Sequence, residues 1–299
     1  MRGVQVVGRA MLDCAYLVRS RQTRRNKLRV LFEYVRMTMT LLLGGDRRGA
    51  RSDRVLGYRV RHFGYASLHF LFREIFVRND YFFETGAPRP LVVDCGANIG
   101  LATLFFKWLY PGCEVHAFEP DPETFALLKD NVERNGLADV HLHNVALCDR
   151  DGAVEFFVPQ GGHGSLVMSL VPARMPEAER RRIVVDGRRL STYLEGRDVD
   201  FLKMDVEGAE RPVFTELARA GALPRVKEMV VEYHHNLEGT TAGFAGFLQL
   251  LQDSGYAYQL DATRGAAELA AEFQDVLVWA CRPPAGGRAT PAIRGGSDA

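Results

Sequence analysis

Apolar residues along this chain fall into short buried runs and helical stripes, and from residue 91 the two alternate in order. Leu91, Val92 and Val93 form a run that meets a turn carrying Gly96, Asn98 and Gly100. Leu101, Leu104, Phe105 and Trp108 then repeat at the i, i+3, i+4, i+7 spacing of a helix facing a sheet. A second strand over 114–118 ends at Glu119-Pro120. Asp121 followed by Pro122 is a helix-start signal, and Phe125, Leu128 and Val132 give that helix its stripe. Strands at 140–143, 201–204 and 226–233 follow, with helices at 208–220 and 244–251. Two last strands, 256–260 and 276–280, complete the pattern. Repeated strand–helix units of this kind predict an α/β fold built on an open, mostly parallel sheet.

Three segments stand outside that rhythm. In residues 1–54, Leu28, Leu31, Phe32, Val35, Met39 and Leu42 recur at helical spacing up to Gly44-Gly45. This predicts a basic helical arm, either packed on the body or resting as an amphipathic helix on an anionic membrane. Residues 55–90 read as a strand over 57–63, a helix over 67–77 and a loop, lying across the exit of the 91–95 strand. Residues 148–198 break the alternation with two short strands, 154–158 and 183–185, around the Gly-rich stretch 161–165. They predict an insertion with a hairpin and a mobile lid. The catalytic domain is thus expected over 55–281, and the Gly-, Pro- and Ala-rich tail, 282–299, is expected to be disordered.

A chain of 299 residues that is 47% hydrophobic and 25% charged is long enough for a sizeable core and has a globular composition. The net charge of +1 gives no argument for nucleic acid, but it conceals an asymmetry. Residues 1–54 hold 13 Lys or Arg against 4 Asp or Glu, leaving the remainder acidic. Five widely spaced cysteines without a CxxC argue against a disulfide framework or structural zinc, and for a reducing compartment. With no apolar run long enough to span a bilayer and no support for a secretory signal, the expected location is cytoplasmic, with organelle targeting by the Arg-rich, acid-poor start as the alternative.

The strongest chemical constellation is the glycine turn followed by Glu119 at the end of the next strand, about 20 residues on, where a ribose would lie. Glycine allows the backbone to approach a ligand closely, and a carboxylate accepts hydrogen bonds from both ribose hydroxyls. Asn98 and Leu101 depart from the dinucleotide fingerprint, which counts against a nicotinamide oxidoreductase, the alternative enzyme reading. A non-catalytic protein that keeps the pocket is the alternative outside enzymes.

Residues 91–100 (LVVDCGANIG), Phe118-Glu119-Pro120, Asn144 to Leu147 and Phe201 to Glu210 (FLKMDVEGAE) resemble the FkbM-type S-adenosylmethionine-dependent methyltransferases, over roughly 55–280. The resemblance implies a Rossmann-like class I methyltransferase fold with seven strands, the last antiparallel. It implies that S-adenosylmethionine is the cofactor. Gly96, Asn98 and Gly100 would line the cofactor turn with Asp94 beneath, Glu119 would hold the ribose, and Asn144 to Ala146 would border the adenine. Asp205 would face the reacting centre. The resemblance further implies O-methylation of a hydroxyl on a sugar, glycan precursor or secondary metabolite.

An attacking alcohol must lose a proton, which calls for a base, and Asp205, Glu232, His234 and His235 sit at neighbouring strand exits. A divalent metal between Asp205 and the 232–236 segment is a sharper variant, not favoured on two acids alone. Blander roles are assigned elsewhere. Glu207 and Glu210 are expected to serve a helix dipole, and His141 and His143 a strand edge. His163 lies in the expected lid.

Overall fold

The computed structural model describes residues 13–43, 51–160, 168–237, 243–262 and 274–283. The stretch 161–165 with His163, and the tail beyond 283, lie outside the described residues. A seven-stranded sheet organises the chain. Its strands are β3 (Leu91–Cys95), β4 (Glu114–Phe118), β5 (Val140–His143), β9 (Val199–Met204), β10 (Val226–His235), β11 (Ala257–Asp261) and β12 (Gln274–Cys281). Their spatial order is β11-β12-β10-β9-β3-β4-β5. Only β12 runs against its neighbours, pairing antiparallel with both β10 and β11. This is the class I arrangement, with the last strand reversed.

Both faces of the sheet are buried, as the continuous apolar runs require. Along β3, Val92 enters the core on one face, while Leu91, Val93 and Cys95 enter the core on the other. The first face is covered by α1 (Arg24–Leu42), α2 (Tyr65–Phe72), α3 (Leu101–Leu109) and α4 (Pro122–Arg134). The second is covered by the short α5 (Ser191–Leu194), α6 (Glu210–Arg219) and α7 (Phe244–Asp253). The predicted start of α4 is present: Asp121 Oδ2 accepts from the Thr124 amide at 2.9 Å, with Pro122 in the first turn.

Four expectations need correction. First, residues 51–63 form two strands, β1 (Arg51–Val55) and β2 (Tyr58–His62), paired antiparallel around Leu56-Gly57, both at positive φ. A boundary at 54/55 would therefore cut a hairpin. That hairpin is held by α4, where the Asn131 side chain accepts from the Arg61 amide and donates to the Ile99 carbonyl. Second, the helix expected over 67–77 is α2 followed by a wider π turn, Arg73–Val77, that buries Ile75, Phe76 and Val77. Third, α6 begins at Glu210, two residues later than predicted, because Glu207 and Gly208 adopt positive φ.

The fourth concerns α1. The helix packs on the body through Val30, Tyr34 and Met37, while Leu28, Phe32, Val35, Met39 and Leu42 of the expected stripe stand exposed. Two apolar faces exist on this helix, and periodicity reported the outer one. The insertion does contain a hairpin, β7 (Gly152–Pro159) against β8 (Arg180–Arg188). Its strands are longer than expected, and the two-residue β6 (Ala146–Leu147) adds parallel to β8. All five cysteines are free thiols.

Candidate active site

Register builds the site. Cys95 is level with Phe118 on one side and Met204 on the other, and Met204 is level with Val231. One residue further along these four parallel strands stand Glu119, Gly96, Asp205 and Glu232, in that spatial order. On the flanks, Phe118 is level with His143, while Glu232 pairs with Leu277 and Asp261 with Leu277. The row therefore continues to Asn144 at one end and to Leu277 and Asp261 at the other. All of these except Asn144 line a single cleft of about 560 Å3 above the carboxyl ends of the strands. At strand spacings of about 4.8 Å, Glu119 and Glu232 are some 14 Å apart, with Gly96 and Asp205 between them.

Gly96 is fixed as glycine by two constraints. Its φ is +78°, and a Cβ there would lie 1.8 Å from the Asp205 carbonyl oxygen. The strand-end turn thus passes directly beneath Asp205, whose own amide donates to the Cys95 carbonyl at 3.1 Å. Gly100 also has positive φ, but its open side faces Leu128 and not the cleft.

Below the turn lies a buried charge cluster. Lys203 Nζ donates to the Gly96 and Cys95 carbonyls at 2.5 and 3.2 Å. It also lies 3.7 Å from Asp94 and 3.4 Å from Asp205. Asp94 is fully buried and its other oxygen accepts from the Thr103 hydroxyl at 2.7 Å. Burial raises the Asp94 carboxyl, and Lys203 and Thr103 work against that rise. Burial would lower the Lys203 ammonium, but Asp205, Asp94 and Glu232 outweigh it and hold the lysine above its ordinary value. Asp94 therefore braces the turn from beneath and does not reach the cleft.

Glu119 is almost fully buried at the opposite end of the row, beside Phe118, Val145 and Leu147. Its carboxylate accepts from the Asn98 amide at 2.9 Å and the Asp121 amide at 3.0 Å. Burial pushes this carboxyl up to about 8, with the two amides opposing the shift. Asn144 supports the same corner by donating to the Glu119 and Pro120 carbonyls. It acts as a brace and does not line the cleft, whereas Ala146 does, as part of β6.

The other end of the cleft carries the polar groups. Glu232 is pushed well above the usual carboxylate range by burial and then by the neighbouring Asp205 charge, with His234 opposing. His234 itself is not positioned as a base. It is buried, its Nδ1 is 2.8 Å from Glu210 and its Nε2 is 3.1 Å from Glu207. Burial alone would lower the ring, but these carboxylates overcome it and raise it well above its ordinary value. A carboxylate on each nitrogen favours the doubly protonated ring, which offers no free nitrogen to a proton or a metal ion. These contacts count against the base role expected of His234, while the ring also lies in two groups able to hold a metal ion, one with Asp205 and Glu207 and one with Glu232 and Asp275. His235 packs against Phe244 instead.

Sequence reasoning missed Lys203, Tyr81, Arg174 and the cleft role of Glu207. Lys203 had a signal: a lysine inside an apolar strand buried on both faces needs an acid beside it. Tyr81 and Arg78 enter from the π turn and the irregular chain after it, which no periodicity reveals. Arg174 donates to Glu207 at 2.5 Å across the insertion, a long-range pairing. A second histidine cluster, His116, His141 and Glu114, could also be read as metal ligands. There Arg197 donates to Glu114 at 2.7 Å and approaches His116 at 3.1 Å, so a guanidinium already engages two of the three groups.

Comparison with known proteins agrees with this geometry. The methyltransferase FkbM domain family matches residues 94–258. Methyltransferase 1 of Beauveria bassiana is 31% identical over 211 residues, 65% of this chain and 83% of the relative. The 31-O-demethyl-FK506 methyltransferase FkbM of Streptomyces tacrolimicus is 31% identical over 208 residues, 60% of this chain and 79% of the relative. The 2-O-methyltransferase NoeI of Sinorhizobium fredii is 31% identical over 140 residues, 42% of this chain and 56% of the relative.

Proposed function

The chain belongs to the FkbM methyltransferase family, and on that premise we propose that it transfers a methyl group from S-adenosylmethionine to a hydroxyl oxygen of a small molecule or glycan precursor. The observation that carries the reading is the row Glu119–Gly96–Asp205–Glu232. It sets a buried carboxylate beside an apolar wall at one end of a glycine turn and two carboxylates at the other. The residues fit this cofactor. Glu119 is the acceptor for two ribose hydroxyls, Phe118, Val145 and Leu147 supply an apolar wall for a base, and Gly96 leaves backbone without a side chain in the way.

Bound there, S-adenosylmethionine supplies a methyl carbon on a sulfonium, a leaving group that needs no acid from the protein. The chain's own task is to align and deprotonate the acceptor. Alignment is worth of the order of 7–11 kcal/mol in favourable cases. Asp205, one-quarter exposed and held by Lys203, orients the hydroxyl. Glu232 takes its proton, and the raised basicity of this carboxyl favours it as the proton acceptor. The ring of His234 anchors Glu207 and Glu210 and fixes the wall behind them. Relatives named for 31-O and 2-O positions support oxygen as the site of transfer.

The test is transfer of label from methyl-labelled S-adenosylmethionine to a panel of polyols, glycans and hydroxylated metabolites. An O-methyl ether retains the label in strong base, so base-stable label is the expected result. Label released by base would indicate a carboxylate acceptor, and label gained by amines but by no hydroxyl compound of the panel would contradict oxygen transfer.

A further inference from the structure

Eight of the eleven large apolar side chains that stand exposed among the described residues lie between Tyr16 and Leu43. They are not scattered. Leu28, Phe32, Val35, Met39 and Leu42 fall within about 80° of the α1 surface at 100° per residue, and Leu43 extends the strip at its end. Phe32 is 70% exposed and Leu28 68% exposed. The strip runs the length of a helix of about 28 Å. Monomeric soluble proteins rarely leave so continuous an apolar surface in water.

The helix is held firmly on its other side. Tyr34 donates to Asp13 at 2.5 Å and stacks on His69, and Thr38 bonds the His69 ring at 2.9 Å. The outer strip is therefore presented by a fixed element, one that packs on α2 and the π turn whose Arg73 and Glu74 line the cleft.

Charge decides what covers it. Arg24 and Arg25 flank the strip at its first turn, and Arg19 and Arg29 are also exposed. The two acids of residues 13–43 are both turned inward: Asp13 pairs with Arg73 and Glu33 with Arg36. The outward surface of this segment thus combines an apolar strip with cations and offers no anion. A second copy of the chain would bring a second set of the same cations to the contact with no acid of the segment to meet them. An anionic lipid surface answers both features, taking the strip into its acyl boundary and the arginines among its headgroups. No helix of the described residues is long and apolar enough to cross a membrane, so the geometry is in-plane.

We propose that the outer face of α1 is a docking surface for an anionic membrane. This stands apart from the methyltransferase reading, since it uses none of the cleft residues. The experiment is vesicle flotation of the full chain with phosphatidylcholine vesicles containing or lacking 30% phosphatidylglycerol. Phe32→Ser/Met39→Ser alters only exposed side chains, and an unchanged melting temperature checks that it folds. A separate Phe32→Trp variant serves as an emission probe.

Expected results are binding to the anionic vesicles, at least tenfold less to phosphatidylcholine alone, and at least tenfold less by the double variant. Emission of the Phe32→Trp variant should shift to the blue only on anionic vesicles, and binding should weaken in 0.5 M salt. Equal flotation of wild type and the double variant, or no flotation of either, would overturn the proposal. So would a concentration-dependent dimer that the double variant abolishes. Variant-minus-wild-type emission removes the signal of Trp108 and Trp279. A difference emission already blue-shifted without vesicles would overturn the proposal too, by showing that another part of the chain covers the strip.

Discussion

Lys203→Met is expected to destabilise the protein by about 3–5 kcal/mol, because it removes one partner of a buried charge cluster and leaves the other charged. Asp94 has no exposure and one of its oxygens has no hydrogen-bond partner, so Lys203 at 3.7 Å is its nearest compensation. At roughly 2–4 °C per kcal/mol for a domain near this size, the melting temperature falls by about 10 °C. The sign of the pH dependence follows. Burial already holds the Asp94 carboxyl above its ordinary value, and losing the ammonium raises it further. A carboxyl raised in the folded state favours the protonated fold, so its contribution is intact below the unfolded value and is lost as pH rises through the folded value. The deficit of Lys203→Met is thus larger at pH 8 than at pH 5. Adding Asp94→Asn, which keeps a bond to Thr103 and removes the charge, should recover part of the loss. Thermal melts of the two single variants and the double variant check this. A melting temperature within 2 °C of wild type for Lys203→Met, or no recovery in the double variant, would show that the cluster does not bear on stability as described.

Glu232→Gln is expected to lower the rate of methyl transfer by about 10²–10⁴-fold, the usual range for removing a positioned proton acceptor. Affinity for S-adenosylhomocysteine should change by no more than a few-fold, since Glu119 and the glycine turn are untouched. Wild-type kcat should rise with pH until Glu232 ionises, because its carboxyl is held well above the ordinary range by burial and by Asp205. That rise should be absent in the variant. Single-turnover rates against pH make the measurement. A variant with a wild-type rate and the same pH rise would move the proton acceptor elsewhere, first to Asp205.

Much of this was legible in the sequence. Alternating runs and stripes predicted the sheet and its helices, and strand ends placed Glu119, Asp205 and Glu232 where register later aligned them. The acid after β4 was readable because it follows the glycine turn by a fixed structural interval. What escaped depends on partners distant in sequence. The protonated ring of His234 is favoured only because Glu207 and Glu210 come from the loop and helix beyond β9. Asn144 and Gly100 carry motif positions but face the Glu119 corner and Leu128. On α1, two apolar faces coexist, and spacing alone cannot say which one the body covers.

The central claim is that Glu119 holds the ribose of an S-adenosyl ligand. Calorimetric titration of wild type and Glu119→Ala with S-adenosylhomocysteine at pH 6, 7 and 8 tests it most directly. Micromolar binding, about −8 kcal/mol, is expected for wild type and none for the variant, with no binding of NADH to either. Two hydroxyl donors are held best by the ionised carboxyl, and burial holds that group at about 8. Wild-type affinity should therefore rise by up to about tenfold from pH 6 to 7 and somewhat less from 7 to 8, with proton release on binding. Undiminished binding by Glu119→Ala, or NADH binding in place of S-adenosylhomocysteine, would contradict the claim.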